Sequence, residues 1–140
     1  MKSFTQEITL ATSEPMEFVD ITGRVRDAFA ASGIADGTLT VFTHHTTTAV
    51  KVNERCERLQ RDMRRILEGA VPAAGYEHDE GTVDGRPNGR GHLMAMFLGA
   101  SETIPVSGGE LGLGPWQSVF FVELDGPRPG RRITLKIVGE

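Results

Sequence analysis

A chain of 140 residues, 39% hydrophobic and 24% charged, has the composition of a globular domain that can bury a sizeable core. Its net charge of −4 excludes an overall basic footprint for nucleic acid or anionic lipid, and its single cysteine, Cys56, excludes an internal disulfide. No apolar run approaches ~18 residues and the first residues lack a signal peptide's apolar centre, so the sequence predicts a cytoplasmic protein that does not enter a membrane.

In chain order, Phe4 to Leu10 alternates apolar and polar apart from Gln6, the pattern of a half-buried strand. "TSEP" follows and predicts a helix start, with Ser13 or Glu14 as cap and Pro15 in the first turn. Phe18, Ile21, Val25 and Phe29 recur at spacings of three and four as its apolar stripe, and Gly33 ends it. "GTLTVFTHHTTTAVKVN" is rich in β-branched residues and reads as one or two strands. Cys56, Leu59, Met63, Ile66 and Leu67 then form the stripe of a second helix, closed by Gly69 and Pro72. Residues 73 to 91 are glycine-rich, nearly devoid of apolar residues and read as one long loop, a feature that in a small domain usually carries function or disorder. "HLMAMFL" and "ETIPV" resume as strands, with "SGGE" as a hairpin turn. "WQSVFFVEL" and "RRITLKIVG" predict a last strand pair around "DGPRPG". The expected fold is a single α+β domain spanning residues 1–140. It has two helices and about seven or eight strands in sandwich-like, mixed or antiparallel sheets.

Four histidines carry the chemical signal: His44 and His45 in "THHTTTAV", His78 in the long loop and His92 at its far end. In an extended strand His44 and His45 face opposite sides, and parity does not choose between them. Imidazoles from separate segments can converge on a metal and leave one position open, with Glu77, Asp79 and Glu80 as ligands or supports. The spacing contains no HExxH and no H-x-H, so scattered packing and solvent-facing roles stay open.

From about residue 40 onward, the segments "HTTTAVKVNE", Asp62, His78 with Asn88 and "GHLMAMFLG", "TIPV" and "LGLGPWQSVFFVELDGPR" resemble the YjbQ or UPF0047 family in content and order. That family is also called the secondary thiamine-phosphate synthase family. The resemblance selects His45, eight residues before Asn53 and next to the threonines, as the family's histidine, and leaves His44 to packing or a local hydrogen bond. It implies a homotrimer of small α+β domains with a divalent metal, typically zinc, held by His45, His78 and His92. It also implies a pocket for a small phosphorylated metabolite, lined by Asn53, Trp116 and Gln117, with Arg128 contacting an anion or pairing with Asp125. Pro115 stands where the family often has threonine, and "RPNGRG" departs from its usual pattern before His92.

By resemblance the activity is a weak thiamine phosphate synthase: a pyrimidine diphosphate joined to a thiazole phosphate, with pyrophosphate released. The alternatives are a metal-dependent hydrolase of a phosphorylated small molecule, or a non-catalytic trimer that binds metal, an anion or RNA. Arg86 and Arg90 beside the glycine-rich loop could fork onto phosphate. Arg55, Arg58, Arg61, Arg64 and Arg65 crowd the second helix. Glu57, Asp62 and Glu68 offset that charge, which favours a solvated face over nucleic-acid binding. Cys56 falls on the apolar stripe and reads as core.

Overall fold

Strand alternation sorts this chain into two antiparallel sheets, described over residues 1–140 by a computed structural model. The larger sheet contains β1 (Lys2–Thr12), β3 (Gly37–Thr43), β5 (Ser101–Ser107), β6 (Glu110–Leu111) and β8 (Arg128–Gly139), in the order β1-β8-β3-β5-β6. The smaller contains β2 (Glu17–Asp20), β4 (Thr48–Glu54) and β7 (Gln117–Glu123), in the order β2-β7-β4. Helices α1 (Thr22–Ser32), α2 (Glu57–Ala70) and α3 (Gly89–Leu98) and one 3-10 turn (Glu77–Asp79) complete the α+β fold.

Alternate residues of the two sheets meet in the main core, where Leu39, Val41, Ile133, Leu135 and Ile137 face Val50, Val119 and Phe121, with Val25 and Ala28 of α1 between them. The other face of the smaller sheet is covered too: Ala49, Phe120, Val122 and Leu124 pack with Leu67, Val71 and Met94. Strand β7 is therefore buried on both faces, which is why "VFFV" shows no alternation. Each fully buried side chain of this size contributes roughly 1.5–3 kcal/mol.

Four expectations change. The segment after "TSEP" is not helix but β2, paired with β7; Phe18 packs edge-on against Phe120 and Val19 joins the main core. Of the predicted stripe only Val25 and Phe29 fall in the helix; Phe18 lies in the strand, where pairing with β7 prevails over the helical spacing. Glu17 accepts the Ser13 and Glu14 amides at 2.8 and 3.2 Å, closing a bend, and α1 starts only at Thr22, whose amide reaches Asp20 at 2.9 Å. Gly33 ends α1 with φ of 66°, as its position in the sequence predicts. "HLMAMFL" is helix α3, not a strand, and it shortens the expected loop by taking Gly89 to Gly91. The run contains no β-branched residue and is bracketed by Asn88 and Gly99. Finally, β7 and β8 follow one another but do not pair, because the turn between them carries the chain from one sheet to the other.

The link from β3 to β4 makes the same crossing, and the two crossings lie together: the Leu124 amide donates to the Thr47 carbonyl at 3.1 Å. Helix α3 presses onto this corner through Gly91, where a Cβ would stand 2.6 Å from the Leu124 carbonyl oxygen.

Candidate functional site

The corner opens into a cleft of about 470 Å³, and all four histidines of the chain line it. His44 and His45 are neither strand residues nor on opposite faces: β3 ends at Thr43, and both sit in the crossing. His78 comes from the 3-10 turn and His92 from the first turns of α3; their rings meet edge to face, centroids 4.6 Å apart. A second hollow of about 520 Å³ adjoins the first and shares His44, His45, Thr46 and His92 with it. Its remaining wall is more apolar, with Phe42, Ala95 and Met96, whereas the first hollow offers Thr82, Asn88, Arg128 and Arg131.

The cleft rests on a buried ion pair between the sheets. Arg131 lies on the core-facing side of β8, its Nε donating to Glu123 of β7 at 2.9 Å and its Nη2 to Thr47 at 3.0 Å. Thr12 donates to the same Glu123 oxygen, Oε1, at 2.6 Å. Burial pushes the Glu123 carboxyl up, but the Arg131 and Thr12 hydrogen bonds outweigh it and hold the group below its usual range. Asp125 follows the same rule: burial raises it, and hydrogen bonds from Arg86, Asn88 and Arg128 bring it below the ordinary aspartate range. Arg86 and Arg128 reach Asp125 at 3.0 and 2.7 Å.

The histidines have distinct partners. His44 Nε2 meets the Thr134 hydroxyl of β8 at 2.6 Å, and its ring stands edge-on to Phe42. His45 Nε2 accepts the Arg132 backbone N–H at 2.8 Å. Desolvation first, and the Arg131 cation second, lower the His45 pKa from 6.5 and favour its neutral form. His78 Nε2 faces Asn88 Oδ1 at 3.2 Å, and the Asn88 amide nitrogen donates to Asp125 at 2.8 Å.

The sequence-predicted residues thus divide. His45, His78, His92 and Arg128 come together at the cleft. Asn53, Trp116 and Gln117 do not line it within one chain. Asn53 pairs with Ser118 at the far end of β4, roughly 17 Å along the strand from Thr48. Trp116 is 74% exposed, and Gln117 accepts the Gly114 amide at 2.8 Å. Arg86 pairs with Asp125, and Arg90 turns inward to the Val71 and Glu68 carbonyls at 3.0 Å each; neither lines the cleft. On α2, Arg64 donates to the Met16 carbonyl, Arg55 pairs with Asp20, and Asp62 pairs with Arg65 on the helix surface. Sequence reasoning missed Arg131 and Glu123; their signal is a charge at a core-parity position in each of two apolar strands.

The zinc that the resemblance implies would have to be held by His45, His78 and His92. No three His, Cys, Asp or Glu side chains stand close enough to share an ion. Metal-bound imidazoles donate their other N–H to an acceptor, whereas His45 Nε2 faces a donor.

These features define a class: a small two-sheet α+β domain with a histidine-lined cleft where the chain changes sheets. The chain belongs to the UPF0047 protein YjbQ-like family, whose model matches residues 6–140. It is 45% identical to a UPF0047 protein of Methanothermobacter thermautotrophicus, covering 100% of this chain and 95% of that one. A UPF0047 protein of Archaeoglobus fulgidus is 41% identical over 93% of this chain and 98% of its own length. The crystal structure of a YbjQ-like protein of unknown function from Sulfolobus solfataricus superposes with a TM-score of 0.93 at 38% identity, covering 99% of both chains. No helix of the chain is long and apolar enough to cross a membrane.

Proposed function

We propose that the cleft binds a small phosphorylated metabolite and that the chain is a transferase of the thiamine phosphate synthase type. The carrying observation is the pair of adjoining hollows that share His44, His45, Thr46 and His92. A reaction that joins two molecules needs two seats with a common wall. One hollow suits the apolar part of a ring, beside Phe42 and Met96; the other suits oxygens, beside Asn88, Arg128 and threonine hydroxyls. Each volume falls in the ordinary range of metabolite sites, roughly 300–1,000 Å³. Electrostatic stabilisation of the leaving pyrophosphate falls to side-chain N–H and O–H donors already fixed by the corner.

The chain acts in the cytoplasm as a homotrimer. In support, Met96 and Phe97 of α3 are 70% and 62% exposed beside the cleft, and a neighbouring copy would cover them.

The test incubates the purified protein with a pyrimidine diphosphate and a thiazole phosphate and follows thiamine phosphate and pyrophosphate together. The expected result is equal release of both, reduced at least tenfold in His92→Ala. Phosphate release from the diphosphate alone would replace the transferase with a hydrolase. Retention of both compounds unchanged, with heat detected on mixing, would replace it with a binding module.

A further inference from the structure

Strand β3 pairs with β8 as far as Thr43 opposite Ile133. One residue beyond, the Arg132 amide points past the end of β3 and meets no strand on that side. His45 Nε2 takes the vacant acceptor position at 2.8 Å. A ring nitrogen that accepts an N–H carries no proton, so the single proton of the neutral ring is on Nδ1. His45 Nδ1 has no partner within the chain, and no unpartnered side-chain nitrogen in the protein is sealed from water.

His78 is held in the opposite sense. Asp125 is a carboxylate, so the Asn88 group facing it at 2.8 Å is the NH₂. The Asn88 oxygen therefore faces His78 Nε2, which must carry the proton to donate across 3.2 Å. In the neutral ring His78 Nδ1 is then left with a free lone pair.

We infer that the cleft presents two imidazoles in opposite tautomers: His45 donates Nδ1–H to an oxygen of the ligand, and His78 Nδ1 accepts a proton from a ligand O–H or N–H. The assignment deepens the reading of the cleft as a metabolite site and gives its ligand a polarity, with an acceptor at His45 and a donor at His78. Asn88 is a positioning residue, passing the fixed charge of Asp125 to the ring of His78. A metal on His45 Nδ1 would require an imidazole stripped of both protons, so the same assignment removes His45 from any metal set.

Long-range proton–nitrogen correlation spectra of the full chain, labelled with ¹⁵N-histidine and recorded well above the ordinary histidine pKa, report each tautomer directly. Four signals are assigned by elimination from single His→Gln variants, so no one variant has to fold. The expected spectrum has His45 as Nδ1–H and His78 as Nε2–H. Asn88→Ala converts His78 to a tautomer mixture and leaves His45 unchanged, and zinc chloride leaves the His45 nitrogens in place. An Nε2–H tautomer at His45, a His78 tautomer indifferent to Asn88→Ala, or a metal-bound shift of a His45 nitrogen overturns the inference. The spectra need no ligand, so this assignment and the synthase reading fail or stand separately.

Discussion

At the scale of single residues, the Arg131–Glu123 pair carries the sharpest consequence. Both groups are buried, and the carboxylate and guanidinium satisfy each other with help from Thr12 and Thr47. Removing one partner strands the other's charge, so Glu123→Ala is expected to cost roughly 3–5 kcal/mol in urea unfolding. Replacing both with apolar residues of similar volume should recover much of that loss. The pH dependence has a definite sign. Glu123 sits below its ordinary value of 4.5 in the folded chain, so its stabilisation is present above that value and is lost as pH falls through the folded one. Unfolding free energy measured from neutral to acid pH should decline over that window, and Glu123→Gln should flatten part of the decline. At this scale the sequence was only half legible. Histidine is rare enough here to announce itself, whereas Arg131 and Glu123 look like ordinary surface charges until the parity of β7 and β8 is known.

At the scale of elements, α3 shows what a short apolar run leaves open. "HLMAMFL" is long enough for a strand, and periodicity cannot separate that from a helix buried on one side. Residue type could have decided it, since Leu, Met and Ala favour helix and nothing there is β-branched. The neighbouring glycines give a test of the packing. Within helices Gly→Ala ordinarily stabilises by roughly 1 kcal/mol. Gly69 of α2 has open space around its would-be Cβ, and Gly69→Ala should follow that rule. Gly91→Ala should reverse it, because the new methyl would stand 2.6 Å from the Leu124 carbonyl oxygen, an atom fixed in the corner. Thermal melts of the two variants side by side check the contrast. The strands were more legible than the helix. Alternation marked β1, β-branched residues marked β3 and β4, and the unbroken "VFFV" marked a strand covered on both faces. What alternation could not convey was partnership: β7 and β8 are adjacent in sequence, yet they belong to different sheets.

At the scale of the whole molecule, the exposed side chains of α3 bear on assembly. If copies associate over Met96 and Phe97, charges placed there are unfavourable in the complex and harmless in the free chain. Met96→Glu with Phe97→Glu should reduce the mass measured by light scattering from that of a trimer to that of one chain, with little change in far-ultraviolet circular dichroism. The cleft's place in the fold was not legible in the sequence, because it depends on two crossings, far apart along the chain, that share one corner. The ionic pairing around that corner also governs how a ligand arrives. Arg86 and Arg128 share Asp125, Arg131 pairs with Glu123, and Asp84 adds a further negative charge beside the Arg86 backbone, so the guanidiniums project little attraction into solvent. At long range an anion meets a molecule of net charge −4. It therefore approaches without guidance and against mild repulsion, and its capture depends on short-range contacts made after encounter. Most phosphate sites lose association rate as salt screens their pull. Here added salt should leave the rate of pyrophosphate binding unchanged or raise it, an inverted ionic-strength dependence that stopped-flow mixing can read.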